Sequence, residues 1–332
     1  MTKRVHLIGI GGIGMSALAQ YYLAPGWRVS GSDASRSGIT DDLKRRGVKI
    51  FIGQKAGNIK GVELVVYSAA IKSNNPELAA ALKSAIQTKS YAQAVGELTK
   101  KYYTIAISGS HGKSTTTALV GLILIKAGLD PTIIIGTKLK ELGGCNFRLG
   151  KSKYLVLEAD EYARSFHNYF PKIAVVTNID KEHLDTYKNL KGVLAGFRKF
   201  FGNISADDYL ILNREDDNIK KMLNPKPHTL KAKIIWYGKG RHELLVPGVH
   251  NQFNAEAAWQ AVKLLGVKKS AAERVFKSYR GAWRRMEKLK IKKEKLKSKG
   301  FKFQASGCVI YTDYAHHPTE IRVTLQALKE KY

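Results

Sequence analysis

The chain has 332 residues, 44% of them hydrophobic, and Lys plus Arg exceed Asp plus Glu by 29. That length exceeds one ordinary core and suits two or three domains, while no apolar run approaches the roughly 18 residues of a membrane helix. The basic excess creates a field that draws in anions, but no RNP-type aromatic motif and no paired Cys/His zinc module accompanies it, so anionic small molecules are expected as partners and nucleic acid is not.

Met1 to Arg4 followed by Val5 to Ile13 has the outline of a signal peptide, but the glycines within it and the lack of a small-residue cleavage site make it the first strand of a domain. Val5 to Ile8 feeds the loop Gly9-Ile10-Gly11-Gly12-Ile13-Gly14, and Met15 to Leu23 has helical spacing. Trp27 to Ser30 reads as a second strand ending in Gly31-Ser32-Asp33, and Glu63 to Ser68 as another before the turn Asn74-Asn75-Pro76-Glu77. Strand, helix and strand in repetition predict a parallel sheet covered by helices. From Tyr102 to Ile107 a strand runs into Ser108-Gly109-Ser110-His111-Gly112-Lys113-Ser114-Thr115-Thr116, and the helix from Ser114 stops at Gly128. Strands follow at Thr132 to Ile135, Tyr154 to Leu157, Ile173 to Thr177, Tyr209 to Leu212 and Ile234 to Tyr237, with a helix from Leu190 to Phe201, which predicts a second parallel sheet. From Arg284 to Lys302, ten of nineteen residues are Lys or Arg; then come a strand from Val309 to Asp313 and a helix from Thr319 to Lys331. The expected division is 1–98, 99–282 and 283–332. The last of these, with 50 residues, is at the lower limit for a domain. Cys145 and Cys308 are too few for a disulfide framework and have no metal spacing, as expected of a cytoplasmic protein.

Two glycine-rich loops imply two phosphorylated ligands. The first fits G-x-G-x-x-G between strand and helix, where glycines let backbone approach a pyrophosphate at a positive helix N-terminus, and Asp33 lies where a ribose-binding acid belongs. Alone it suggests NAD, although any nucleotide diphosphate presents the same two phosphates. The second loop has Ile107 in place of the leading glycine of the strict Walker pattern but keeps backbone N–H groups to cradle phosphates, Lys113 for the β and γ phosphates and the Ser114 hydroxyl for Mg²⁺. Glu158, Asp160, Glu161, Asp180, Glu182 and His183 follow adjacent strands, where open α/β sheets bind ligands and where Mg²⁺ finds hard oxygen donors. Asn251 and Asn254 offer amide pairs to a base edge or cap a following helix. His316 and His317 lack the i, i+4 spacing of a helical zinc pair.

Taken together, Gly9 to Ala17, Gly31 to Asp33, Ser68 to Glu77, Gly109 to Thr117, Glu158 to Glu161, Thr177 to Tyr187, Gly248 to Asn254, Arg284 to Glu287 and Asp313 to Ile321 resemble the Mur ligase family, which builds the peptidoglycan precursor. The opening GIGGIGMSALA is similar to that of the alanine-adding members, which implies UDP-N-acetylmuramate and L-alanine as substrates, ATP and Mg²⁺ as cofactors, and an acyl-phosphate intermediate. The resemblance implies an α/β chain of three domains: an N-terminal Rossmann-like domain for the UDP-sugar, a central P-loop-type ATPase with a parallel sheet, and a C-terminal Rossmann-like domain that is incomplete here. It assigns the sugar nucleotide to Gly9, Gly11, Gly12, Ile13, Gly14, Met15 and Ser16, with Asp33 and Ser68 beside them. ATP falls to Gly109, Ser110, His111, Gly112, Lys113, Ser114 and Thr115, the adenine side to Asn251 and Asn254, and reach from the third domain to Arg285 and Asp313. Ser114, Glu158 and His183 would place Mg²⁺, Lys113, Glu158 and His183 would serve catalysis, and His316 and His317 would lie where the amino acid is selected. Met286 stands where the family usually has phenylalanine, and the segment from Tyr237 to Val246 is shorter than the family's. With so little of the third domain, the chain is expected to bind both nucleotides but to turn over poorly. The competing readings are an NAD-dependent oxidoreductase, which leaves Gly109 to Thr117 without a purpose, and a basic nucleic-acid binder built on a degenerate ligase.

Overall fold

The computed structural model describes residues 2–224, 230–283, 285–289, 309–315 and 317–331. His316, Cys308 and most of the lysine-rich stretch therefore lie outside the described residues.

Five short strands, β1 (Arg4–Ile8), β2 (Arg28–Asp33), β3 (Lys49–Ile52), β4 (Leu64–Tyr67) and β5 (Gln87–Ser90), form a sheet in the order β3-β2-β1-β4-β5. All its pairings are parallel. Val5, Leu7 and Ile8 of β1 are fully buried, as a central strand covered on both faces requires. Neither β3 nor β5 was expected from the sequence: β5 reads Gln-Thr-Lys-Ser, without an apolar residue, and joins the sheet as an edge through backbone bonds.

The second sheet holds β6 (Tyr103–Ser108), β7 (Thr132–Leu139), β8 (Cys145–Arg148), β9 (Tyr154–Glu158), β10 (Ile173–Val176), β11 (Tyr209–Asn213) and β12 (Lys233–Tyr237), in the order β12-β11-β10-β6-β9-β7-β8. It is not wholly parallel: β8 runs antiparallel to β7. The reversal is made by Gly143 and Gly144, both at positive φ, a turn the sequence reading passed over. Side chains of β6 alternate between two cores, Ala106 facing the cluster that also holds Val5, Leu7 and Leu18 of the first sheet's layer, and Ile105 and Ile107 facing a second cluster under the helices Lys113–Lys126 and Val249–Lys263. The first core thus runs without a break from one sheet to the other.

Two residue pairs, β13 (Glu287–Lys288) and β14 (Tyr311–Thr312), make an antiparallel ladder beside the helix Pro318–Lys331. The Trp283 N–H donates to the Lys138 carbonyl at 3.0 Å, and Lys140 pairs with Glu287 at 3.1 Å, so this last segment is docked on β7 and the turn after it. No helix among the described residues is long and apolar enough to cross a membrane.

Candidate active site

Strand β6 stands where the connections of the second sheet reverse direction, so the loops leaving β6, β9 and β10 open into one crevice at their carboxyl ends. A cavity of about 700 Å³ occupies it, within the size range of ligand sites.

The phosphate loop is shaped by glycines where nothing else fits. Gly109 has φ +127° with Thr177 against it, and Gly112 has φ +83° with the Asn254 carboxamide against it, so a Cβ at either would be both strained and in collision. The segment after β10 holds the loop in place. Asn178 accepts the His111 N–H at 2.8 Å through its side chain and the Ser110 N–H at 3.0 Å through its carbonyl, and the Thr177 hydroxyl donates to the His111 carbonyl at 2.6 Å. Gly112 then begins the helix Lys113–Lys126, whose first turn contains no acidic residue and whose N-terminus has no side-chain cap. Orphan N–H groups at such a terminus are a ready anion site.

Lys113 lies back over its own loop, donating to the carbonyls of Gly109 (2.7 Å) and Ser110 (3.1 Å) and pairing with Glu161 at 2.9 Å. Burial works against its charge, but Glu161 and Asp160 outweigh it and hold the ammonium above the ordinary lysine value. Burial also pushes the carboxyl of Glu161 up, with Lys113 pulling it back part of the way. Glu158, at the end of β9, accepts from the Ser114 hydroxyl at 2.9 Å and the Gly136 N–H at 2.8 Å, and burial pushes its carboxyl up as well.

The residues expected to hold Mg²⁺ fall in two neighbouring groups along this wall. Ser114 and Glu158 touch each other, whereas His183 Nε2 lies 3.9 Å from Glu161 and 4.0 Å from Asp160. Ser114, Glu158, Asp160 and His183 line the cavity, with Glu161 buried behind them. Asn251 and Asn254 also face it, but they sit inside the helix Val249–Lys263, which begins after Gly248, so the alternative of a capping role is set aside. Asn254 Oδ1 accepts from the Thr116 hydroxyl at 3.4 Å and its Nδ2 donates to Asn251 Oδ1 at 3.3 Å.

From the last segment, Arg285 and Asp313 line the cavity. Asp313 accepts the N–H groups of Met286 (2.7 Å) and Ala315 (2.8 Å), and Met286 is held at φ +47°. Arg285 pairs with Glu320 at 3.4 Å and lies over Tyr314. His317 packs against His111 with ring centroids 5.0 Å apart and the rings tilted by 38°, and both approach Asp180. Sequence reasoning did not single out Asn178 or Glu320; the Thr177–Tyr187 and Asp313–Ile321 motifs that contain them were the only signal.

The first glycine loop reaches the cavity through Ile13. Gly12 begins the helix Ile13–Leu23 without a side-chain cap, and Asp33 Oδ2 accepts the Gly11 N–H at 2.8 Å. Among the other sequence-expected residues, Gly9 and Gly14 belong to that loop and Asp33 and Ser68 pack against it, and none of the four lines the cavity. Met15 and Ser16 turn their side chains into the interior, with 3% and 2% exposure.

Two glycine loops on α/β layers, one carrying a lysine and a buried carboxylate at a helix N-terminus, define an enzyme that handles two nucleotides. Residues 4–103 match the Mur ligase family, catalytic domain, and residues 107–244 the Mur ligase middle domain. The UDP-N-acetylmuramate–L-alanine ligase of Aquifex aeolicus is 38% identical over 99% of this chain and 75% of its own length, and that of Acetivibrio thermocellus is 39% identical over 98% and 73%. The solved UDP-N-acetylmuramate-alanine ligase of Thermotoga maritima superposes with a TM-score of 0.82 at 27% identity, covering 98% of this chain and 77% of that one. The chain belongs to the Mur ligase family.

Proposed function

We propose that the chain is a cytoplasmic ATP-dependent ligase that joins L-alanine to UDP-N-acetylmuramate in peptidoglycan precursor synthesis. The observation that carries this reading is that one cavity is lined by the phosphate loop, by Glu158 and His183, by Ile13 of the first glycine loop and by Arg285 and Asp313. The γ-phosphoryl group of ATP passes to the lactyl carboxylate of the sugar nucleotide, breaking the bond to the β-phosphate and leaving ADP. The alanine amine, having shed a proton, then attacks the acyl carbon and phosphate departs.

The N–H groups at Gly112 to Ser114 and the Lys113 ammonium would hold the phosphates and neutralise charge as it moves. To do so Lys113 exchanges its loop carbonyls and Glu161 for phosphate oxygens. Asn251 and Asn254 orient the adenine side, and the third unit brings Arg285 and Asp313 over the phosphates. His317 lies beside His111 at the contact between loop and last helix, where the amino acid would be selected. Gly9 to Gly14 and the backbone of Met15 and Ser16, with Asp33 and Ser68 behind them, would take the UDP moiety at a helix N-terminus.

The site suits Mg²⁺: Glu158 is a half-buried carboxylate facing the cavity with a hydroxyl beside it, and Asp160, Glu161 and His183 have ligand atoms within 4.8 Å of one another. Bound there, Mg²⁺ would offset the negative charge of the triphosphate.

The test is a coupled assay of phosphate release and UDP-N-acetylmuramoyl-alanine formation by this chain. Alanine-dependent product supports the reading; phosphate release that ignores both alanine and the sugar nucleotide refutes it.

A further inference from the structure

We infer that the hairpin of β7 and β8 sets the separation between the two glycine loops, and that Asn146 on it is a positioning residue for the sugar nucleotide; this rests on the function proposed above. Asn146 belongs to the second sheet but is 4% exposed, because its carboxamide is inserted into the first turns of the helix Ile13–Leu23. Its Nδ2 donates to the Ile13 carbonyl at 2.6 Å and to Ser16 Oγ at 3.0 Å, and its Oδ1 accepts from Gln20 Nε2 at 3.0 Å. The Ile13 carbonyl can only accept, so the amide cannot be turned over, and a residue lacking either the donor or the acceptor does not reproduce the contact.

The same hairpin has other footholds. The Gly136 N–H holds Glu158 at 2.8 Å, and the Thr137 hydroxyl donates to the Trp283 carbonyl at 3.1 Å. Lys138 pairs with Asp42 of the first unit at 2.9 Å. One hairpin therefore touches the helix that opens from the sugar-nucleotide loop, the carboxylate beside the ATP loop, and the third unit. In-line transfer between two separately held substrates depends on their spacing, and an error of about 1 Å costs on the order of 100-fold in rate. Asn146 touches no phosphate-loop residue; it acts by fixing where the first helix begins.

The experiment compares Asn146→Ala, Asn146→Asp and Gln20→Ala with the wild-type chain. In Asn146→Ala the KM for UDP-N-acetylmuramate should rise about tenfold, kcat should fall, and the KM for ATP should stay within about twofold. Asn146→Asp preserves shape and the bond from Gln20 but sets an oxygen against the Ile13 carbonyl, so it should not rescue; a purely packing role would make it equal to wild type. Gln20→Ala should show a smaller shift in the same direction, and it carries the test if Asn146→Ala does not fold. Amide hydrogen exchange of the ligand-free protein gives a readout free of activity: exchange over residues 9–16 should quicken about tenfold in Asn146→Ala while residues 109–114 are unchanged. If wild-type protein ignores UDP-N-acetylmuramate, the functional reading fails and the exchange pattern still decides the role of the hairpin. Wild-type kinetics in Asn146→Asp, an equal rise in both KM values, or unaltered exchange at residues 9–16 would overturn the inference.

Discussion

Replacing Lys113 by methionine removes a charge from a pair in which Lys113 is 13% and Glu161 1% exposed. A buried pair broken on one side typically costs about 3–5 kcal/mol, because the remaining charge is stranded. Glu161 has an escape, since burial already pushes its carboxyl up and losing Lys113 pushes it further, so in the variant it folds as the neutral acid. Holding that proton costs about 1.4 kcal/mol per pH unit above an unfolded pKa of about 4.3. A group whose folded pKa is raised loses stability as pH climbs from the unfolded value towards the folded one. Wild-type Glu161 itself holds its proton up to about pH 8, so this cost cancels between the two chains below that pH. The penalty of Lys113→Met is therefore expected to be flat from about pH 5 to about pH 8 and to grow by about 1.4 kcal/mol per pH unit above it, as wild-type Glu161 ionises against Lys113 while the variant's carboxyl stays neutral. The flat part includes about 1 kcal/mol for the loop carbonyls of Gly109 and Ser110 that lose their donor. Urea unfolding of wild type, Lys113→Met, Glu161→Gln and the double variant at about pH 7 and about pH 9.5 measures this. The rise should be absent when Glu161→Gln is compared with the double variant, while all variants lacking Lys113 lose ATP-dependent chemistry. A penalty of the same size at both pH values, or a rise that persists in the Glu161→Gln background, would refute the argument.

Glu158→Ala and His183→Ala should each raise the Mg²⁺ concentration needed for half-maximal activity about tenfold or more, read from Mg²⁺ titrations of phosphate release, with calorimetric affinity for UDP-N-acetylmuramate unchanged. Gly112→Ala forces a side chain into positive φ against Asn254; ATP affinity measured by calorimetry should fall at least about tenfold, and adding Asn254→Ala should restore only the part due to collision. His111 is lowered by burial but raised further by Glu320, Glu182 and Asp180, giving a net raised pKa. Its contribution to docking of the last helix is complete below its unfolded pKa and disappears as pH rises through the folded one, so protease protection of the Pro318–Lys331 helix should decline over that window in wild type but stay flat in His111→Gln.

Much of the candidate site was legible because a phosphate-loop pattern leaves local marks. A strand, a glycine turn and a lysine at a helix start lie within about a dozen residues, and Glu158 and His183 stand directly after apolar runs. What was not legible depended on distant partners. Asn146 sits in an unremarkable Cys-Asn-Phe-Arg strand, and only the pairing of β8 with β7 carries it to Ile13. Burial of Met15 and Ser16 follows from which face of the first helix meets that hairpin, and a helical period alone does not decide this. Strand β5 lacks the apolar alternation that announces a strand, since an edge position asks mainly for backbone partners. For Asn251 and Asn254 the sequence left a base-edge contact and a helix cap open, because asparagine favours helix starts; the glycine before them begins the helix and places both on the cavity wall.

The unbroken apolar cluster from Val5 and Leu7 to Ala106, Leu157 and Leu210 bears on how this molecule melts. Two sheets that share side-chain packing cannot lose order one at a time without exposing the half left behind, so they should disappear in a single calorimetric peak. Among the described residues, the third unit is tied to the rest by the Trp283 backbone bond, by pairs such as Lys140–Glu287 and His111–Glu320, and by the buried Ala327, and it should give way earlier. Heat should therefore silence the ligase before the protein as a whole has unfolded, and cooling within that interval should bring activity back.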